Sequence, residues 1–412
     1  MTLEPYRRVL ALRGVRSLLL IAMLARVPVT AAAISLTLHI VLDLDRGYGA
    51  AGLVGAALTI GAALGAPLFG RLVDRRGMRP MLAITTVVGA AFWAVAPALS
   101  YPALLGAAVL GGLFMLPVFS VVRQSLAALV PEDQRRQAYA LDSMSVELSF
   151  MVGPAVAVLL ATAVRPTVAL LAVGAGLLVS GVALYALNPP SRADGEPATG
   201  DRPSMHRRAW LTPRLVAMLV LASATTLVLG GTDVSVVAVL REAGQVQWTG
   251  AVLALWGAYS MAGGFWYGAS PRALSPMTLM VLLAVLTIPV GLAGGDWRWL
   301  GLALVPAGAL CAPTLAATAE AISRMVPAEV RGEAMGLHNS ALTVGLAIGA
   351  PLAGAVIDAA GPAWGFAATG IAGGLAAALA AVPALRRASP ATPIGPPAAD
   401  APQAPARSTS ER

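Results

Sequence analysis

The chain contains no lysine; all 28 of its basic residues are arginine. Charge is scarce, since Asp, Glu and Arg make up only 12% of the 412 residues. Soluble domains carry about 25%, so a soluble domain is excluded. The 58% hydrophobic content and mean hydropathy of +0.77 indicate a membrane protein. The net charge of +8 invites nucleic acid as a partner. The arginines lie between apolar runs and not on one face, which excludes it. Cys311 is the only cysteine and sits in an apolar run, so no disulfide forms within the chain and the thiol packs. His39, His206 and His338 lack ligand spacing, so no metal site and no cofactor is expected. Without a nucleophile and base, or a metal cluster, at one depth, an enzyme is not expected either. The paired glycines at 111–112, 263–264 and 373–374 lack a following Lys-Ser/Thr, which excludes a nucleotide-binding loop and ATP drive.

What is present is a series of apolar runs long enough to cross a bilayer as helix. Twelve are read, in two sets of six. The first set covers 17–43, 50–70, 78–98, 102–124, 137–161 and 167–187; the second covers 215–240, 249–268, 275–294, 299–323, 333–357 and 363–384. The first run follows Arg7, Arg8, Arg13 and Arg16 and contains Arg26. It is too long for a signal-peptide core, so it reads as a retained span. Residues 188–213 hold Pro189, Pro190, Gly195, Pro197, Gly200 and Pro203 among charges, a linker composition. The predicted organisation is therefore a six-helix bundle over 1–187, a linker over 188–213 and a second six-helix bundle over 214–387. A Pro-, Ala- and Ser-rich tail over 388–412 is expected to be disordered.

Arginine sets the expected orientation. With the N-terminus inside, the inner loops hold Arg71–Arg79, Arg135, Arg136, Arg192–Arg214, Arg272, Arg324, Arg331, Arg386 and Arg387; the outer loops hold only Arg46, Arg165, Arg241 and Arg298. Basic loops stay cytoplasmic, so a multi-pass protein of the cytoplasmic membrane with both termini inside is expected. The halves also repeat. Val130, Pro131, Arg135, Ala138, Leu141 and Gly153 recur as Val326, Pro327, Arg331, Ala334, Leu337 and Gly349, an offset of 196 residues (327 − 131). Parallel six-helix halves give this pattern.

Between the second and third runs lies a dense polar stretch, Gly70-Arg71-Leu72-Val73-Asp74-Arg75-Arg76-Gly77-Met78-Arg79-Pro80. The plainer reading is a basic inner loop. Its order says more: Gly70 sits where a helix is expected to end, Asp74 is a lone acid among bases, and Gly77 can turn the chain back. The run resembles the signature loop of the major facilitator superfamily, Gly-x-x-x-Asp-Arg-x-Gly-x-Arg, with Gly70, Asp74, Arg75, Gly77 and Arg79 matching each position. The resemblance implies an all-α fold of twelve transmembrane helices in two pseudo-symmetric bundles, over all but the tail. It implies a transporter that works by alternating access, in which Asp74 meets the start of span eleven and an arginine of span four, here Arg123.

Gly153-Pro154 in span five and Gly349-Ala350-Pro351 in span eleven lie among small residues and are read as helix kinks. Ordinary close packing is the plainer alternative. The first resembles the Gly-Pro motif of drug:proton antiporters in the superfamily, though Ala157-Val158 stands where paired glycines are expected. Ionisable residues within spans are costly and face a cavity or a partner. Arg26, Asp142, Glu147, Asp233 and His338 are the candidates for substrate and proton coupling. A structural ion pair, a helix cap or a packed neutral His are the plainer readings. Arg26 and Glu147 are expected to share one cavity, where two uses are open: the acid carries a proton, or the arginine holds an anionic group. The expected function is proton-coupled export of a small amphipathic or hydrophobic compound by a monomer in the bilayer, with proton-coupled uptake of a metabolite as the alternative and a membrane enzyme or a transport-like sensor as the remoter ones.

Overall fold

The computed structural model describes residues 4–192, 206–270 and 274–387. The expected tail over 388–412 and Arg272 lie outside the described residues, as do residues 193–205 of the linker. Among the described residues there is no β-strand. A short amphipathic helix, α1 (Glu4–Ala11), precedes the long apolar helices. Those of the first half are α2 (Val15–Leu42), α3 (Tyr48–Arg76), α4 (Met78–Val95), α5 (Tyr101–Leu113), α6 (Val118–Leu129), α7 (Arg135–Ala163) and α8 (Pro166–Leu187). A four-residue turn, α9 (Arg207–Trp210), leads into the second half. There follow α10 (Pro213–Glu242), α11 (Thr249–Ala269), α12 (Pro276–Thr287), α13 (Trp297–Ala303), α14 (Val305–Met325), α15 (Arg331–Ala360) and α16 (Trp364–Arg387).

A helix rises about 1.5 Å per residue, so the 28 residues of α2 exceed the bilayer core of about 30 Å. Among the described residues, eleven spans are long and apolar enough to cross it. The one predicted run not among them is the eighth, α11, which has no charge, but its glycines, Trp256, Tyr259, Trp266 and Tyr267 lower its hydropathy. Predicted span four is two helices, because Pro117 has no N–H to continue the ladder between α5 and α6. Predicted span nine passes from α12 into a 3₁₀ turn, Ile288–Ala293, that contains Pro289. Predicted span ten likewise breaks between α13 and α14, just before Pro306.

The buried apolar side chains form two large cores. One runs from Val9 to Leu184 and includes Leu18, Leu82, Trp93, Leu104 and Leu126. The other runs from Ala217 to Ala380 and includes Trp256, Leu300 and Phe366. Between them, α3 packs on α15, α7 on α11 and α14, and α6 on α15. The 196-residue repeat is visible in the packing. The Thr30 hydroxyl on α2 donates to the Ser149 carbonyl of α7 at 2.8 Å, and the Thr226 hydroxyl on α10 donates to the Leu342 carbonyl of α15 at 2.7 Å. Pro154 and Pro351 lie inside helices that run on past them, so neither ends its span.

Candidate functional site

The polar stretch is not a loop over most of its length. Helix α3 continues to Arg76, and the turn is confined to Gly77 at φ +82°, a conformation that suits glycine. Gly70 therefore lies inside the helix, contrary to the expectation that it marks the end. Its role is close approach: a Cβ there would stand 2.2 Å from the Gly332 carbonyl oxygen of α15. That contact brings the Asp74 carboxylate onto the first turn of α15. It accepts from the backbone N–H of Gly332 and of Glu333, each at 2.8 Å. Free N–H groups at a helix start favour an anion there.

The expected arginine of span four is not Asp74's partner. Gln124, the next residue along α6, fills that place with a 3.2 Å bond to Asp74 Oδ1. The reason is register: adjacent helical positions face different directions, and Arg123 points to mid-membrane instead. Further residues at this end join the contact. Arg71 grips Glu333 of α15 with two bonds of 2.8 and 3.0 Å, and Arg207 reaches the same carboxylate at 2.6 Å. Arg192 donates to the Asp74 carbonyl at 3.0 Å. Arg75 is exposed, and Arg79 lies over the Tyr185 ring at 5.5 Å. Arg71 occupies a variable position of the motif, so only the acid in the first turn of span eleven, Glu333, could have signalled it.

Deeper lies a sealed polar chain. Arg26 on α2 pairs with Asp142 Oδ1 and donates to Ser145 Oγ at 3.1 Å. Arg123 pairs with Asp142 Oδ2 at 3.3 Å and donates to His338 Nδ1 at 3.1 Å. A guanidinium has no acceptor, so His338 Nδ1 carries no proton. Its Nε2–H then donates to Thr318 Oγ1 at 3.2 Å, whose own proton goes to the Leu315 carbonyl. His338 is thus a neutral link between the halves. Arg26, Asp142 and His338 are fully buried, and Arg123 nearly so.

Arg26 and Glu147, expected together, are apart. Asp142 is one helical turn and more from Glu147 along α7 and takes the arginine. Glu147 turns to the second half, where Ser260 on α11 donates to it at 2.8 Å. Asp233 on α10 is exposed, and its carboxylate and that of Glu147 are within electrostatic reach of one another. Among the described residues no arginine pairs with either acid. The site residues thus fall into three groups: Asp74 with α15 at one end, the Arg26–Asp142–Arg123–His338 chain at mid-depth, and the two acids Glu147 and Asp233, one in each half.

Every hydrogen bond joining the halves among the described residues lies at the Asp74 end or at mid-depth. Arg324 to the Glu132 carbonyl at 2.8 Å, Ser340 to the Ala63 carbonyl at 2.6 Å, and Tyr6 to the Phe265 carbonyl belong to this set. The opposite end has its own links, such as Thr167 to Asp43 and Trp297 to Gln245, but each stays within one half. The molecule is closed at the Asp74 end.

The Gly153 and Gly349 positions are contact points. A Cβ at Gly153 would lie 2.0 Å from Thr30 Oγ1, and one at Gly349 would lie 2.2 Å from the Leu227 carbonyl oxygen. Among the described residues no group of three His, Cys, Asp or Glu side chains is placed to hold a metal.

The family model of the Major Facilitator Superfamily matches residues 18–293 and 267–410. No curated protein matches the sequence. Among solved structures, the human organic anion transporter MFSD10 (TETRAN) aligns with TM-score 0.71 at 18% identity, over 89% of this chain and 99% of that one. A bacterial homologue of the iron transporter ferroportin, in an outward-facing state, aligns with TM-score 0.72 at 16% identity, over 91% and 99%. The proton:xylose symporter XylE bound to 6-bromo-6-deoxy-D-glucose aligns with TM-score 0.67 at 14% identity, over 89% and 94%.

Proposed function

The chain belongs to the major facilitator superfamily and is a multi-pass membrane transporter, and we propose that it exports a small amphipathic or hydrophobic compound in exchange for protons. The observation that carries this reading is the two acids Glu147 and Asp233, one in each half and within electrostatic reach of one another, with no arginine paired to either among the described residues. Two carboxylates so placed attract a cation. A proton and a positively charged or polarised substrate then compete for one site, which is what antiport requires. Arginine asymmetry favours a cytoplasmic Asp74 end, so a form closed at that end is one in which protons enter and substrate leaves on the outer side. Rocking of the two six-helix bodies, 1–187 and 214–387, supplies alternating access. Asp74, Arg71 and Glu333 hold the inner side shut.

The substrate is found first by a growth screen of a deletion strain against a panel of toxic compounds. The protein is then placed in proteoliposomes with a pH gradient. Glu147→Gln keeps the volume and removes the charge. It should abolish uphill accumulation and leave exchange of labelled for unlabelled substrate largely intact. Asp233→Asn should do the same. If Glu147→Gln still accumulates substrate against its gradient, that acid is not the coupling group. Accumulation with the gradient reversed would indicate uptake.

A further inference from the structure

Outside the transport path, a groove of about 540 Å³ opens between α1, α2 and α7 at the Asp74 end. Its mouth carries Arg7 and Arg16; its walls are apolar and include Leu10, Leu19, Leu20 and Met23. No acid lines it. The one acid of α1, Glu4, is taken by Arg8 at 3.0 Å. Among the described residues neither Arg7 nor Arg16 has an ion-pair partner, and both are exposed. Below the groove, Leu20 (57% exposed) and Leu24 (70% exposed), one turn apart on α2, continue the apolar track toward the bilayer centre. The floor includes Ser145, the hydroxyl that receives Arg26.

We propose that this groove is a binding site for one anionic phospholipid, with its phosphodiester between Arg7 and Arg16 and an acyl chain along Leu19, Leu20 and Met23. Guanidinium groups hold phosphate oxygens in a bidentate fork. The depth fits: basic residues flanking a span sit at headgroup level and recognise acidic lipid. The shape fits as well, since a free anion has no use for the apolar wall, and a neutral hydrophobe has none for the two arginines. Helix α1 is fixed in place by Tyr6, buried and stacked on Phe265 of α11 at 5.0 Å, and by Val9 in the first core. The arginines on its outer face are therefore held at a set distance from α2.

The test uses the full chain in detergent, with phosphatidylglycerol, phosphatidylcholine and inorganic phosphate as probes and native mass spectrometry to count retained lipid. Phosphatidylglycerol should bind saturably with one tight site, and phosphatidylcholine should not. Each of Arg7→Gln and Arg16→Gln should weaken retention about fivefold, from roughly 1 kcal/mol per arginine near an acidic surface. Leu19→Trp fills the groove without altering charge and should also weaken it. Arg13→Gln, an exposed arginine outside the groove, should change nothing. Melting curves confirm that each variant is folded. Equal binding of the two lipids, or a Leu19→Trp variant that binds as wild type, overturns the proposal. Displacement of phosphatidylglycerol by millimolar inorganic phosphate also overturns it, making this a site for a soluble anion.

Discussion

The two halves share a frame and differ in charge. Thr30 and Thr226, 196 residues apart, each tie the first helix of their half to its fifth by a bond to facing backbone. Gly153 and Gly349 each let that same pair of helices close up. The charged positions do not repeat. At the same offset, Arg26 becomes Ala222, Arg123 becomes Ala319, and Asp74 becomes Ser270. Asp142 becomes His338, and the two mates bind one and the same arginine, Arg123. The duplication kept the packing device, where any loss opens a void or a clash. It released the ionisable residues, where one copy suffices to link two bodies. Closure at the Asp74 end is accordingly asymmetric: the first half supplies Asp74 and Arg71, the second supplies a helix start and Glu333.

The strongest way to break this asymmetry is at Asp142. Asp142→Asn leaves Arg26 and Arg123 buried with no counter-charge. Removing one partner of a buried ion pair costs about 3–5 kcal/mol. Thermal unfolding in detergent should show a loss of this size, and transport should fail. At the mate, His338→Gln keeps a neutral hydrogen-bonding group and should cost about 1 kcal/mol. Equal losses at the two positions would mean that charge is not what separates the halves.

The glycines test the shared frame. At Gly349 a Cβ meets backbone, the Leu227 carbonyl oxygen at 2.2 Å, so the helices themselves must part. At Gly153 the nearest atom is the Thr30 hydroxyl, and the Val27 carbonyl is farther, at 2.8 Å. Overpacking costs about 1–3 kcal/mol. Gly349→Ala should fall at the upper end and Gly153→Ala below it, read by melting. Reversal of that order would show that Thr30 yields less readily than α10 does.

Asp74→Asn acts on rate. The neutral amide loses the charge that sits on the start of α15, so the closed form is less favoured. Transport should slow about tenfold, the equivalent of about 1.4 kcal/mol, while substrate affinity in detergent stays within a few-fold. A collapse of equilibrium binding would place Asp74 in the site instead of the gate.

Much of this was legible in the chain. Apolar run length gave the helices, and Pro, Arg and Gly gave the repeat, because those residues have few substitutes at breaks, mouths and contacts. Asp74 and Gly77 were readable from a motif that states geometry. The partners of the buried charges were not. Arg26 was matched to Glu147 on depth alone, and depth does not give the rotation of a helix about its axis. Arg123 and Gln124 are neighbours in sequence, and one residue of helix turns the side chain by about 100°. Asp142, nearer the Asp74 end, takes both arginines, and Glu147 is left to Ser260 of the second half.

The smallest expected effect is the sharpest test of equivalence. Thr30 Oγ1 lies within 3.1 Å of the Arg26 and Val27 carbonyls as well as the facing one; Thr226 Oγ1 lies within 3.3 Å of the Ala222 and Ser223 carbonyls as well as its own facing one. The two hydroxyls have the same three kinds of neighbour. Val removes the hydroxyl and keeps the shape. Interhelical hydrogen bonds in membranes contribute about 0.6 kcal/mol on average, because the separated helices also find partners. Thr30→Val and Thr226→Val should each lower stability by about that amount, in a reversible unfolding titration in mixed micelles. The double variant should lose the sum, since the sites lie in separate cores. A loss at Thr30 several times that at Thr226 would mean that the hydroxyl on α2 steadies Arg26 through its carbonyl. The first half's charge would then have reached into the frame the two halves share.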